Sequence, residues 1–211
     1  MANLQRHCLV TVGATVGFRQ LTEQVLQPVF WRFLVAEGFT SLRVQCGPDI
    51  GWASARLASL RDEVPQGLRI DALESAKNLM REEMVLCKAA SGLRSTGLVI
   101  SHAGKFVRTG TILDAWKVGL PVIVVPNEEL LDNHQAEMAQ HLAKEGYAIM
   151  STASYADLEG AIHKSDLLWE DNKSRWPPHT VRPRKNAGGL RLWDMHPQEV
   201  EREEDAQMAN D

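Results

Sequence analysis

The chain has 211 residues, 44% hydrophobic and 24% charged, with a formal net charge of −4. That is room for one substantial core and too little for two, in the composition of a soluble globular protein, and no basic excess points to nucleic acid. No run approaches the ~18 uncharged apolar residues of a membrane span and the start lacks a signal-peptide pattern, so a role at a membrane would need another component to hold the chain there.

In chain order, His7 to Val12 reads as a buried strand that ends at Gly13. Leu21, Val25, Val29 and Phe33 then recur every four residues, the spacing of one helical face, with Pro28 expected to kink that helix and Gly38 to stop it. Leu42 to Cys46 is the next strand, and Cys8 to Cys46 has the size of one βαβ unit. A polar, weakly patterned stretch follows Gly47-Pro48 through Gln66, with a short strand at Leu68-Arg69-Ile70 and a helix expected over Leu73 to Ala90.

Gly97 to Ser101 is a strand, Ile112 to Val118 a helix, and Pro121 to Pro126 a fully buried strand. Leu130 to Glu145 is a helix stopped by Gly146, Tyr147 to Met150 the last strand, and Tyr155 to Leu168 the last helix. Strands that are apolar throughout and alternate with helices indicate a parallel sheet covered on both faces. The expected fold is a doubly wound, Rossmann-like α/β domain over residues 1–169. From Glu170 to the end the character changes: basic residues and four prolines (Pro177, Pro178, Pro183, Pro197), then an acidic end. Residues 170–211 therefore read as a tail, partly disordered or docked on a partner. The three cysteines, Cys8, Cys46 and Cys87, form no C-x-x-C pair and read as reduced buried thiols.

In a doubly wound sheet, ligands bind beyond the carboxyl ends of the strands, and three segments fall there. Gly13-Ala14-Thr15-Val16-Gly17 follows the first strand; it fits neither G-x-G-x-x-G nor the P-loop, and it is either a plain tight turn or one whose backbone N–H groups approach a diphosphate. Ser101-His102-Ala103-Gly104 leads to Thr109-Gly110-Thr111 at a helix start, where Thr109 or Thr111 can cap the helix. Asp114, one turn in, either serves the helix dipole or accepts hydrogen bonds from a ribose. The third segment, Asn127 to Gln135, packs Asp132, Asn133, His134 and Gln135 into one turn, which is either a polar helix N-terminus with Asp132 as N-cap or a set of the mixed donors and acceptors that sugar hydroxyls need. Metal binding is not expected, because His134 and His141 lie seven apart without a third ligand in a recognised spacing.

Taken together, VTVGATVGF, ISHAG and TGTILDAWKVGLPVIVVPNEELLDNHQAEMAQHLAKEGY resemble the Alg13 family. The likeness is densest from Val99 to Met150 and thinner from Leu9 to Cys46, and the block Gly119 to Tyr147 carries its specificity. The resemblance implies the donor-binding, C-terminal half of a GT-B glycosyltransferase. It further implies an inverting transfer of N-acetylglucosamine (GlcNAc) from UDP-GlcNAc to dolichyl-pyrophosphate-GlcNAc, the second step of lipid-linked oligosaccharide assembly for N-glycosylation. One Rossmann-like half needs a second, and in this family that half is the membrane-anchored subunit Alg14, which holds the cytoplasmic chain at the endoplasmic reticulum. No cofactor or metal is implied.

By the resemblance, Gly13, Ala14 and Thr15 approach the diphosphate and His102, Ala103 and Gly104 line the donor site, with His102 also the candidate general base. Thr109, Gly110 and Thr111 present helix N–H groups to phosphate, Asp114 matches a ribose contact, and Asn133, His134 and Gln135 meet sugar and pyrophosphate. The sequence departs from the family at Lys105-Phe106-Val107-Arg108, inserted where HAG runs straight into TG. The insertion either bulges away, folds over the phosphates to supply Lys105 or Arg108, or displaces the helix start. In the last case the chain would be a non-catalytic subunit that keeps the fold and the partner but not the donor loop.

Overall fold

The computed structural model describes residues 4–103, 110–127 and 134–175, apart from the side chains at 110, 134–136, 138 and 172–175. Six parallel strands build one sheet: β1 His7–Thr11, β2 Ser41–Gln45, β3 Arg69–Leu73, β4 Leu98–Ala103, β5 Val122–Pro126 and β6 Ile149–Met150. Their order is β3-β2-β1-β4-β5-β6, the Rossmann arrangement in which the chain winds outward from the centre in both directions. Cys8 lies opposite Leu42 on one side and Leu98 on the other, which makes β1 a central strand.

The unbroken apolar runs follow from this position, since side chains that alternate across a central strand meet a core on either face. On one face Val10, Leu42, Ile100 and Ile123 pack with Leu21, Phe30, Trp31 and Leu34 of α1 (Arg19–Val25) and α2 (Pro28–Ala36), and with Leu158 and Ile162 of α7 (Tyr155–Arg175). On the other face Leu9, Val99 and Val124 meet Ile112 and Ala115 of α5 (Gly110–Val118), and Ala139 and Leu142 of α6 (His134–Lys144). Each fully buried aliphatic or aromatic side chain contributes about 1.5–3 kcal/mol, so this pair of cores is the main driving force for folding. Cys8, Cys46 and Cys87 are free and buried, as their sequence context implied. Burial pushes the Cys87 thiol up to about 12 and raises those of Cys8 and Cys46 as well. All three are therefore inert thiols at neutral pH.

Four expectations about these elements are corrected. Pro28 does not kink one helix; it opens a second, as the first residue of α2, where its missing N–H costs nothing. The polar stretch after Gly47-Pro48 contains a helix, α3 (Ile50–Ser59), of which only Ala53 is buried. Leu73 to Ala90 is not one helix: β3 takes Leu73, and the helical part is a π-turn, Met80–Met84, that runs into the short α4 (Val85–Cys87). The wide turn buries two adjacent residues, Glu83 and Met84. Glu83 there accepts a hydrogen bond from Arg43 at 2.8 Å and pairs with it again at 2.5 Å. The last helix also continues to Arg175, beyond the expected end at Leu168.

The glycine stops hold. Gly38, with φ +80°, donates to Val35 O while Phe39 N donates to Leu34 O at 2.9 Å, the paired bonds that close a helix on a left-handed residue. α5 and α6 end the same way at Gly119-Leu120 and Gly146-Tyr147. Arg6 then ties the start of β1 to α7. Its guanidinium donates to both carboxylate oxygens of Asp166 at 2.7 Å, to Glu37 O and to Thr96 O, and lies 4.2 Å from the Phe39 ring centroid. Among the described residues no helix is long and apolar enough to cross a membrane.

Candidate functional site

The sheet reverses its winding direction between β1 and β4, and in doubly wound folds ligands bind beyond the carboxyl ends of the strands at such a switch point. The last paired residues of β1 and β4 are Thr11 and Ser101. Past that point each strand continues with a different neighbour: Val12 N donates to Gln45 O beside β2, while His102 and Ala103 pair with Val125 and Pro126 of β5. The backbones therefore diverge, and one side chain bridges them. His102 Nδ1 lies 3.1 Å from Val12 O.

That contact sets the chemistry of the ring. A carbonyl oxygen only accepts, so Nδ1 carries the hydrogen and Nε2 keeps its lone pair. The ring is 2% exposed and lies 5.0 Å, centroid to centroid, from Phe18. Burial lowers the His102 pKa, and the bond to Val12 only partly opposes this, so the imidazole is neutral at pH 7. Nε2 is buried and has no hydrogen-bond partner among the described residues. A buried acceptor left unmatched costs roughly 1–3 kcal/mol, a cost repaid when a donor group arrives.

Gly13 to Gly17 follow directly on Val12, whose carbonyl meets His102. Gly13 takes φ +95° with open space where a side chain would be, a backbone that only glycine adopts readily. Ala14, Thr15 and Val16 are exposed. The turn is not free-standing. A Cβ on Gly47 would sit 2.6 Å from Gly13 O, and one on Gly17 would sit 2.4 Å from Asp49 Oδ2. Asp49 also accepts two hydrogen bonds from Arg19, at 2.6 and 3.0 Å. The guanidinium of Arg19 lies 4.4 Å from the Trp52 ring centroid.

Of the residues singled out in the sequence, Gly13, Ala14, Thr15, His102 and Ala103 gather at this switch point. Gly104, Thr109, Asp132 and Asn133, with the inserted Lys105 and Arg108, lie outside the described residues. Gly110 begins the described part of α5, and Thr111 lies inside the helix, so Thr111 is not its cap. Asp114 accepts a hydrogen bond from Lys117 at 2.9 Å. His134 and Gln135 open the described part of α6. Asn127, at the end of β5, is 5% exposed and hydrogen-bonded or otherwise engaged. Sequence reasoning passed over Arg19, Asp49 and Trp52, whose pairing spans 30 positions and leaves no local pattern. No three His, Cys, Asp or Glu side chains among the described residues converge as a metal cluster.

A 3-2-1-4-5-6 parallel sheet with a small-residue turn at its switch point defines a Rossmann-type α/β domain. Residues 7–176 match the glycosyltransferase family 28 C-terminal domain. The chain is 34% identical over 189 residues to the UDP-N-acetylglucosamine transferase subunit ALG13 of Cryptococcus neoformans, with 80% of this chain and 88% of that protein covered. It is 33% identical over 157 residues to the subunit of the same name in Saccharomyces cerevisiae, covering 68% of this chain and 76% of that one. An NMR solution structure of ALG13 superposes with a TM-score of 0.57 at 24% identity, over 78% of this chain and 87% of that one, which supports the fold. The chain belongs to the glycosyltransferase family 28 C-terminal domain family, and within it to the ALG13 group.

Proposed function

We propose that the chain is the donor-binding half of a two-chain N-acetylglucosaminyltransferase. In this reading it transfers GlcNAc from UDP-GlcNAc to dolichyl-pyrophosphate-GlcNAc at the cytosolic face of the endoplasmic reticulum. A membrane-anchored Alg14-type subunit supplies the acceptor half and the anchor. The observation that supports this best is the switch point between β1 and β4, where the Gly13–Thr15 turn lies and where His102 Nε2 has no partner among the described residues, in a chain of the ALG13 group.

The acceptor hydroxyl attacks the anomeric carbon from the side opposite the diphosphate. A bond from that oxygen to the anomeric carbon forms as the bond to the UDP oxygen breaks, inverting the centre. Negative charge grows on the departing diphosphate, where backbone N–H groups of the Gly13–Thr15 turn and the positive end of α5 at Gly110 and Thr111 stabilise it without a metal. Asp114 receives the ribose by giving up Lys117, and Asn133, His134 and Gln135 receive sugar hydroxyls and pyrophosphate. The hydroxyl proton passes to a general base. Within this chain His102 is the candidate by chemistry; its burial favours a donor-site role, with the acceptor half as the other source of the base.

Radiolabelled UDP-GlcNAc and a dolichyl-pyrophosphate-GlcNAc analogue test the reading in membranes that carry the partner. The chain is added intact, omitted, or added with residues 105–108 deleted. Transfer that requires the intact chain is the expected result. Transfer only with the deletion would mean that the insertion blocks the donor loop. Silence in both, with the partner bound, would make the chain a non-catalytic subunit.

A further inference from the structure

The β2–α3 corner meets the Gly13–Phe18 turn through backbone and polar contacts, beside the core that Phe18 and Cys46 share. Gly47 brings its backbone against Gly13 O, where a Cβ would come within 2.6 Å. Two residues on, the Asp49 carboxylate occupies the space a side chain on Gly17 would need, 2.4 Å from the ideal Cβ position. Asp49 is 14% exposed while Arg19, its ion-pair partner, is 50% exposed. Arg19 is the first residue of α1, so the pair fastens the far end of the turn as Gly47 fastens the near end. The exposed part between them, Ala14 to Val16, is what a ligand at the switch point would meet.

We propose that Asp49 and Arg19 are positioning residues for the donor. They clasp the turn from the β2–α3 corner and hold its backbone in a shape that receives the diphosphate. The inference rests on the donor-site reading above and adds to it which residues set the loop. The physical reason is preorganisation: a glycine-rich turn without the clasp samples many backbone states and must be ordered at the expense of binding. Arg19 is half exposed, so the pair contributes little to global stability. Its effect falls on the turn.

The test is steady-state transfer in partner-carrying membranes with the full chain and three variants, Asp49→Ala, Arg19→Ala and the double. Each single change should raise KM for UDP-GlcNAc about 5–10-fold, with kcat, KM for the acceptor and the thermal midpoint within twofold or a few degrees of the unmodified chain. The double should be no worse than either single, because both remove one clasp. Gly17→Ala should reproduce the KM effect by forcing Asp49 away. Unchanged KM in both singles with active unmodified chain would overturn the clasp and leave the donor site standing. Arg19→Ala raising KM while Asp49→Ala lowers it would also overturn it, since Arg19 would then be a phosphate ligand that Asp49 restrains. An unmodified chain that fails both to transfer and to bind UDP-GlcNAc would overturn the donor-site reading and the clasp with it.

Discussion

His102 and His7 are both held neutral in the folded chain. Burial is the main cause in each; for His7 the nearby Arg94 and Arg43 add to it. The folded values lie below the ordinary 6.5, so between the two values the unfolded chain binds more protons than the folded one. Stability is then fully present above about pH 6.5 and is lost as pH falls from there toward the lowered folded values. Each histidine adds a slope of at most about 1.4 kcal/mol per pH unit. Urea midpoints should fall between pH 7 and pH 5, and His102→Asn should flatten the slope, because asparagine keeps an N–H for Val12 O and does not titrate. A slope unchanged by that substitution would assign the acid sensitivity elsewhere. His102 was legible in the sequence because it stands at the end of an apolar strand. The bond that fixes its tautomer was not, since Val12 lies 90 positions away.

At the scale of elements, two glycines in similar company carry different burdens. Gly38 has φ +80° and open space around its missing Cβ, so Gly38→Ala should cost only the left-handed conformation, about 1–2 kcal/mol. At Gly97 a Cβ would fall 2.2 Å from His7 O and 3.0 Å from Cys87 O. Gly97→Ala must push β4 away from β1, and should cost about 3 kcal/mol or more. Chemical denaturation of the two variants separates them; equal losses would show that the β1–β4 approach relaxes freely. Gly38 as a helix stop was readable, as were the five buried residues of β5, because a run of branched apolar residues has one reading between turns. α3 was hidden and β3 was read only in part, as Leu68-Arg69-Ile70, for one shared reason. Arg69 and Asp71 put charge on one face of an edge strand, and α3 buries only Ala53, so neither shows the apolar period that marks an element. The helix expected from Leu73 gave way to a π-turn that delivers Glu83 to Arg43, a partner 40 positions away.

At the scale of the molecule, Arg6 joins the start of β1 to α7 across 160 positions. Its side chain is 15% exposed, and it serves two backbone carbonyls besides Asp166. Arg6→Ala leaves those carbonyls unmatched and should cost about 3 kcal/mol. Asp166→Ala should cost under about 1 kcal/mol, since that carboxylate is half exposed. Thermal unfolding of both checks the difference, and equal losses would make the ion pair, rather than the carbonyls, the source of the effect. The sheet order carries a consequence for how the chain comes into being. Of the six strands β1 is made first yet sits at the middle of the sheet, and its second neighbour, β4, is made only after β2 and β3. The first half of the chain therefore waits during synthesis with one edge of β1 unpaired, and Arg6 waits longer still for α7. Such distant pairings make folding slow and leave the nascent chain open to aggregation. The amount of usable subunit in a cell is thus set partly by how well that unfinished edge is shielded while the rest is translated.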